Sequence, residues 1–234
     1  MGSLRVSPCS RGPDLAVEVN APTLDVELAL LNAGAKYVVG IDEVGRGALA
    51  GPVSVGVAVV DATVGPIPTG LADSKLISEK KRDALVPLVQ SWVIAYAVGH
   101  ASPSEIDDVG IIAALRRAAM RALAELPMTP DVAILDGSHD WLTRSDDLFG
   151  DHADVIAPTV HVRVKADRDC ASVAAASVLA KVERDALMVN LDTTFPGYGL
   201  ADNKGYGSDG HRAAIATIGA TEVHRRSWNL THSD

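Results

Sequence analysis

The stretch YVVGIDEVGRGALAGPVSVGVAVV, residues 37–60, decides the fold, because it joins two apolar runs through a glycine-rich turn and carries two adjacent carboxylates. The β-branched residues of the first run are typical of a buried strand. We expect this strand to end where Asp42 and Glu43 begin, since neighbouring side chains on a strand point to opposite faces. A turn through the glycines that follow would let both carboxylates address one site. The second run, residues 52–60, predicts a partner strand.

Two interpretations of the pair Asp42 and Glu43 are open. A solvated strand end before an ordinary glycine turn is the commonest setting for an Asp-Glu pair. Two acids that close so apolar a run are, however, costly to bury unless a cation compensates their charge. Carboxylate oxygens are the ligands that hard divalent ions such as Mg²⁺ prefer. The second interpretation is therefore a divalent cation site at the end of the first strand.

The composition describes a globular chain of 234 residues, 47% hydrophobic and 22% charged, which can bury a full core in one domain. We interpret residues 1–22 as a flexible tail and residues 23–234 as a single domain. No apolar run approaches the roughly 18 residues of a membrane span, so we expect a cytoplasmic protein. Cys9 and Cys170 lack zinc-ligand spacing, and we expect a buried, reduced Cys170.

The formal net charge of −9 argues against a protein that coats nucleic acid by charge alone, because such binding depends on many Lys and Arg contacts to phosphates. An enzyme with local basic patches and bound metal stays possible. Basic side chains do crowd residues 75–82, although a solvated helix face is the commoner explanation for Lys80, Lys81 and Arg82.

Beyond the opening strands, the pattern predicts an alternation of helices and strands. Helices are predicted over residues 24–31, from Ser78 to about residue 90, and over residues 103–126 behind the capping box Ser102-Pro103-Ser104-Glu105; strands are predicted over residues 92–100, 131–136 and 159–165. This order fits an α/β fold with a mixed sheet flanked by helices. Residues 138–157 are polar and aperiodic, and we interpret them as a surface insertion without an assigned role.

Two further acids extend the candidate site. The strand predicted over residues 131–136 ends in Asp136 and a glycine, and ligand sites of α/β sheets gather at strand ends. In the segment after residue 165, helical spacing places Asp167 on the apolar face and Asp169 about 200° away. The spacing therefore selects Asp167 for the site.

Three residues near the carboxyl end have two explanations each. Tyr206 lies between two glycines, where a lone tyrosine is more often a turn residue. The glycines would nevertheless leave its ring accessible to a nucleotide. For His211 and His224, capping or core hydrogen bonds are the more common roles.

Several of these segments resemble signatures of the type 2 ribonucleases H, the bacterial ribonuclease HII family. They are GIDEVGRGALAGPV at 40–53, LADSKLIS at 71–78, LDG at 135–137, KADRDCASVAAAS at 165–177, NKGYGS at 203–208 and HRRSW at 224–228. The resemblance covers about residues 37–228. Ala166 stands where the family has glycine, and Trp228 where it usually has Phe. The resemblance implies a ribonuclease H-like fold with a mixed five-stranded sheet and a C-terminal helical extension.

The resemblance also implies an activity, which is cleavage of the RNA strand of RNA–DNA hybrids and incision 5′ of single ribonucleotides in duplex DNA, leaving 3′-hydroxyl and 5′-phosphate ends. It implies two Mg²⁺ or Mn²⁺ ions held by Asp42, Glu43, Asp136 and Asp167, and substrate contacts from Gly45, Arg46, Gly47, Ser74, Lys75 and Tyr206. The expected partners are hybrid duplexes and ribonucleotide-containing DNA, bound by a monomer.

Two other classes of function remain open, because a fold does not settle a substrate. One is a metal-dependent nuclease of the same fold that cuts only DNA. The other is a nucleic-acid-binding protein without catalysis, which the presence of all four acids disfavours.

Overall fold

The computed structural model describes residues 21–143 and 157–231. Its helices are α1 (Asp25–Asn32), α2 (Glu79–Trp92), α3 (Pro103–Ala124), α4 (Ala166–Asp169), α5 (Ala171–Thr194), α6 (Leu200–Asn203) and α7 (Asp209–Ile218), with a 3-10 turn at Ser74–Leu76. Its strands are β1 (Val38–Val44), β2 (Val53–Val60), β3 (Ala95–Ala101), β4 (Val132–Asp136) and β5 (Thr159–Arg163). Most of the predicted tail, including Cys9, and residues 144–156 of the predicted insertion lie outside the described residues.

The five strands form one mixed sheet in the order β3-β2-β1-β4-β5, which confirms the predicted architecture. β1 runs antiparallel to β2 and parallel to β4. At the two edges, β3 pairs antiparallel with β2, and β5 pairs parallel with β4. β1 is therefore the central strand, and its carboxyl end lies beside that of β4.

Helices cover both faces of the sheet. Val39 and Ile41 point into a core that α3 closes on one face. On the other face, the alanine-rich α5 packs so tightly that a Cβ on Gly40 would overlap the backbone of Ser172, and one on Gly56 that of Ala176. Small residues on both partners thus hold α5 against the two central strands.

Beyond α5, the helices α6 and α7 form the C-terminal extension. They share a small hydrophobic cluster with Leu49 and Ala50, which lie between β1 and β2. The extension therefore packs against the glycine-rich loop, which we define as residues 45–52. No helix in the described ranges is long and apolar enough to cross a membrane.

Two sequence predictions about the ends of elements are wrong. β1 continues through both acids to Val44, which pairs with Ser54, and the turn comes at Gly45 with φ of +80°. Residues 165–185 are not one helix either, because Cys170 is extended, with φ of −110° and ψ of 123°, and separates α4 from α5. The helical spacing from which Asp167 was selected therefore does not apply, because no continuous helix runs through these residues.

Smaller differences affect three other predicted ends. β3 begins at residue 95 because Trp92 still belongs to α2, and β5 ends at residue 163. Ser78 occupies the N-cap of α2 without a side-chain hydrogen bond. The capping box at Ser102 and Glu105 is confirmed, with both reciprocal hydrogen bonds present.

Candidate active site

The carboxyl ends of β1 and β4 bring two of the predicted acids together. Ile41 pairs with Leu135 in the parallel register, so Asp42 and Asp136 lie one step further along neighbouring strands. Asp42 is only 4% exposed and Asp136 is half-buried. Because the strands are parallel, their ends meet at the same edge of the sheet, as expected for a ligand site in this class of fold.

The third acid, Asp167, reaches this edge through α4. Lys165 adopts a left-handed conformation with φ of 61°, and the next peptide N–H, that of Ala166, donates to Asp136 Oδ1 at 2.7 Å. Asp167 is 4% exposed, whereas Asp169 forms an outward ion pair with Arg163 at 2.7 Å. The structure thus favours Asp167 over Asp169, but through the turn at Lys165 and not through helical phase.

The acids influence one another electrostatically. The pKa of Asp42 is raised to about 8, mainly by burial and also by the charges of Glu43 and Asp136. Burial and then the charge of Asp136 also raise the pKa of Asp167. Burial raises the pKa of Glu43, against the opposing charge of Arg46. We call Asp42, Glu43, Asp136 and Asp167 the acidic cluster, since they share one local field.

The acidic cluster is only partly compensated by cations of the chain. Lys75 Nζ lies 3.6 Å from Asp167 Oδ2, and Arg46 Nη1 lies 3.4 Å from Glu43 Oε1. Among the described residues, no three His, Cys, Asp or Glu side chains are already arranged to hold a metal ion. The donor set nevertheless fits Mg²⁺ or Mn²⁺, because it consists of carboxylate oxygens, and burial together with the nearby acids raises the pKa values of Asp42, Glu43 and Asp167.

The glycine-rich loop lies directly after the acidic cluster. The Gly45 N–H donates to the Tyr206 hydroxyl at 3.2 Å, which ties the loop to a ring that is 39% exposed. Arg46 is exposed, and a Cβ on Gly47 would meet no atom within 4 Å. The surface formed by these residues is therefore open to a ligand beside Glu43.

The two residues predicted from the LADSKLIS segment differ in their surroundings. Lys75 is exposed and faces Asp167. Ser74 is buried, and its hydroxyl accepts a hydrogen bond from Ser177 at 2.9 Å. Arg82 donates to the carbonyls of Ser74 and Ile77 at 2.9 and 2.6 Å, so it holds this turn and is not part of a solvated face.

The sequence analysis missed two arginines that support the loop, Arg184 and Arg225. Both are fully buried and donate to main-chain carbonyls of the loop. Arg225 lies in the quoted HRRSW segment, but the loop partners of the two arginines lie 132 to 180 residues away in the chain, so no local pattern indicates which groups they bind. His211 and His224 are buried with their Nε2 atoms 3.3 Å apart, which confirms the expected core hydrogen bonds. Cys170 is buried and free, as predicted.

Known proteins of one family are similar to this chain over most of its length. The family model described as Ribonuclease HII matches residues 39–231. The chain is 48% identical over 209 residues to ribonuclease HII of Streptomyces coelicolor, covering 88% of this chain and 83% of the relative. It is 44% identical over 214 residues to the Paracoccus denitrificans enzyme, covering 92% and 95%.

Solved structures show the same fold. The ribonuclease H2 of Pyrococcus horikoshii OT3 superimposes with a TM-score of 0.63 at 26% identity, covering 83% of this chain and 95% of that one. Bst-RNase HIII, crystallised in complex with Mn²⁺, superimposes with a TM-score of 0.59 at 21% identity, covering 85% and 68%. The second likeness, at this identity, concerns the fold alone.

Proposed function

The chain belongs to the ribonuclease HII family, and from that membership we propose that it cleaves the RNA strand of RNA–DNA hybrids and cuts 5′ of single ribonucleotides embedded in duplex DNA. It has the ribonuclease H-like fold and is an endonuclease of the hydrolase class. The observation that carries the proposal is the acidic cluster, gathered at one sheet edge beside an open glycine-rich loop.

The acidic cluster supplies the binding site for the metal ions in this proposal. Asp42 and Asp136 come from neighbouring strand ends and Asp167 from α4, while Glu43 extends the set toward the loop. Together they would hold two Mg²⁺ or Mn²⁺ ions, which lower the pKa of an attacking water and stabilise the leaving 3′-oxygen. The chain itself needs no nucleophile. The hydrogen bond from the Ala166 N–H to Asp136 fixes α4 to β4, and so orients Asp136 and Asp167 relative to each other.

Recognition of RNA requires a contact to the 2′-hydroxyl, which can donate and accept hydrogen bonds. The glycine-rich loop offers main-chain groups for it at Arg46 and Gly47, because both residues are exposed and a Cβ on Gly47 would meet no atom within 4 Å. The half-exposed ring of Tyr206, bonded to Gly45, would stack on the nucleotide at the junction. Lys75 and Arg46 provide exposed cations for the adjoining phosphates, with Ser74 behind Lys75 in the same turn.

A pair of labelled duplexes that differ only in one ribonucleotide tests the proposal. In Mg²⁺ or Mn²⁺, we expect one cut 5′ of the ribonucleotide, with 3′-hydroxyl and 5′-phosphate ends, and no cut in the all-DNA duplex. Asp136→Asn serves as the inactive control. Equal cleavage of both duplexes would support the DNA nuclease instead. Binding without turnover in any divalent metal would support a non-catalytic binding protein.

A further inference from the structure

The inner side of the glycine-rich loop is held by one buried guanidinium group. Arg225 donates through Nη2 to the carbonyl of Gly45 at 2.6 Å and through Nη1 to that of Arg46 at 2.7 Å. It also reaches the carbonyl of Gly51 with Nε and Nη2 at 3.3 and 3.2 Å. A single side chain thus bonds both ends of the loop, and its planar fork of donors suits this arrangement.

A second buried guanidinium continues this support. Arg184 donates to the carbonyls of Pro52 at 2.9 Å, Lys204 at 2.9 Å and Ala50 at 3.3 Å. Its guanidinium carbon lies 5.6 Å from the centre of the Tyr206 ring. Arg184 therefore joins the loop to the segment that carries Tyr206.

Neither arginine is neutralised by an acid in the usual way. Within the described parts of the chain, no carboxylate lies at ion-pair distance from either group, and Asp185 and Asp107 act on Arg184 and Arg225 only at longer range. Fully buried arginines are rare unless paired. Here the partners are main-chain carbonyl dipoles, all in the glycine-rich loop except that of Lys204, so the positive charge stays behind the surface that faces the substrate.

The hydrogen bonds of Arg225 fix the orientation of two peptide units. In a trans peptide the N–H points away from the C=O of the same unit, and all described peptide bonds are trans. Because Arg225 holds the carbonyls of Gly45 and Arg46 inward, the N–H groups of Arg46 and Gly47 must point outward. No described residue accepts a hydrogen bond from either N–H. They form a pair of free donors on the open side of the loop.

We propose that Arg225, supported by Arg184, is a positioning residue that directs the N–H groups of Arg46 and Gly47 toward the ribonucleotide and thereby sets discrimination between RNA and DNA. This inference rests on the proposed function. The arginines touch no substrate; they act through the loop. Their charge adds to the effect, since an oxygen acceptor or phosphate on the outer side is favoured by cations behind the donors.

Substitution of Arg225 or Arg184 by lysine tests the inference, because lysine keeps the positive charge and removes the planar fork of N–H donors. In Arg225→Lys, the single ammonium nitrogen cannot replace three separate nitrogens that reach the carbonyls of Gly45, Arg46 and Gly51, so the two peptide units lose their fixed direction. Ca²⁺ serves as a divalent ion for binding measurements, and affinity is measured for matched duplexes with and without one ribonucleotide. We expect the ratio of the two affinities to fall about tenfold, the value of one well-oriented hydrogen bond. The Mg²⁺ concentration for half-maximal cleavage should not change, because the acidic cluster is untouched.

Arg121→Lys is the matched control. Arg121 is also a forked arginine; it lies on α3 and is bonded to Glu105 and to the carbonyl of His100. We expect it to lower the melting temperature and to leave the affinity ratio unchanged. Arg184→Lys, which retains the bonds of Arg225, should lower the ratio about threefold, and it decides the question if Arg225→Lys does not fold.

The outcomes separate this inference from the proposed function. If the wild type neither cuts nor prefers the ribonucleotide duplex, the proposed function fails. If the wild type discriminates and the folded lysine variants keep its ratio within twofold, only the positioning role is overturned. An equal loss of discrimination in Arg121→Lys would show a general effect of destabilisation and would also overturn it.

Discussion

The acidic cluster and the two buried arginines carry opposite charges, and the fold compensates them in different ways. The acids lie at an open sheet edge, where burial and the neighbouring acids raise the pKa values of Asp42 and Asp167, and Lys75 and Arg46 are the cations paired with them among the described residues. Arg184 and Arg225 are excluded from water, and main-chain carbonyl groups of the glycine-rich loop and of Lys204 accept their hydrogen bonds. In the proposed function, divalent cations from solution would compensate the acidic cluster, whereas groups of the chain itself compensate the two arginines.

This difference predicts which region responds to metal. Ligands that bind only the folded state stabilise it, so Mg²⁺ should raise the melting temperature of a protein with an intact acidic cluster. Substitutions in the cluster should abolish that rise. Substitutions of the arginines should lower stability and leave the rise in place. If a variant of Arg225 showed no rise in melting temperature with Mg²⁺, the acidic cluster and the arginines would not be independent in this way.

The largest effect is expected for Asp136→Asn. An amide keeps the size and can still accept from the Ala166 N–H, but it removes the charge that holds a cation. Since a bound metal supplies several kcal/mol of transition-state stabilisation, cleavage should fall about 1,000-fold or more. The melting temperature without metal should stay the same or rise, because one source of repulsion on Asp42 and Asp167 is removed. Near-normal cleavage would remove Asp136 from the site.

The second prediction compares Asp167→Asn with Asp169→Asn by cleavage rate at fixed Mg²⁺. Asp167 lies in the acidic cluster, so its substitution should reduce cleavage on the order of 100-fold or more. Asp169→Asn removes only an exposed ion pair with Arg163, which contributes about 0 to 1 kcal/mol to stability. The cleavage rate of this variant should therefore stay close to that of the wild type. Equal losses in the two variants would show that α4 is oriented differently.

The acids of the cluster also show how much of the site can be predicted from the sequence. Asp42 and Asp136 follow from local patterns, since each comes directly after the apolar run of its strand, at the same sheet edge. Asp167 was selected through a helix that does not exist. The break at Cys170 comes from Thr23, whose N–H donates to the carbonyl of Asp169 and whose carbonyl accepts from Ala171. A contact across nearly 150 residues leaves no periodic signal, and the same holds for the arginines behind the loop.

The third prediction concerns the histidines beside the loop. His211 Nδ1 lies 2.9 Å from the Tyr206 carbonyl and must carry a proton, so its Nε2 accepts from His224 Nε2. His224 Nδ1 then accepts from the Thr221 N–H at 3.0 Å. Both rings are neutral in this chain. Burial, and then the nearby His211, lower the pKa of His224 to about 4, and burial lowers that of His211.

The sign of the pH effect follows from these lowered pKa values. Below pH 6.5 the unfolded chain binds protons that the folded histidines do not, so stability falls as the pH falls toward 4. For His224 alone the loss is about 2 kcal/mol between pH 6 and pH 4.5. Urea unfolding at both pH values should show a smaller loss in His224→Gln than in the exposed control His161→Gln. Identical losses would mean that His224 is protonated in the folded state.

The smallest effects are expected at Tyr206, where the ring and the hydroxyl group have separable roles. The ring is open to solvent and would stack on the nucleotide, and the hydroxyl accepts from the Gly45 N–H. Tyr206→Ala removes both, and loss of a stacking contact of about 1 to 3 kcal/mol corresponds to roughly 5- to 150-fold in kcat/KM. Tyr206→Phe keeps the ring and leaves Gly45 without its acceptor, at about 0.5 to 1.5 kcal/mol, or roughly 2- to 12-fold.

The substrate decides whether either loss at Tyr206 reflects recognition. A single embedded ribonucleotide offers one junction, so the Ala variant should lose most on that substrate and less on a long hybrid with many registers. If the Phe variant keeps the wild-type ratio between the two substrates and the Ala variant does not, the ring recognises the junction and the hydroxyl only supports the loop. If both variants change the ratio equally, the bond to Gly45 matters more than stacking, and Tyr206 belongs with the arginines as part of the loop support. An unchanged ratio in both would leave Tyr206 a turn residue, because a purely structural defect lowers cleavage of the two substrates alike.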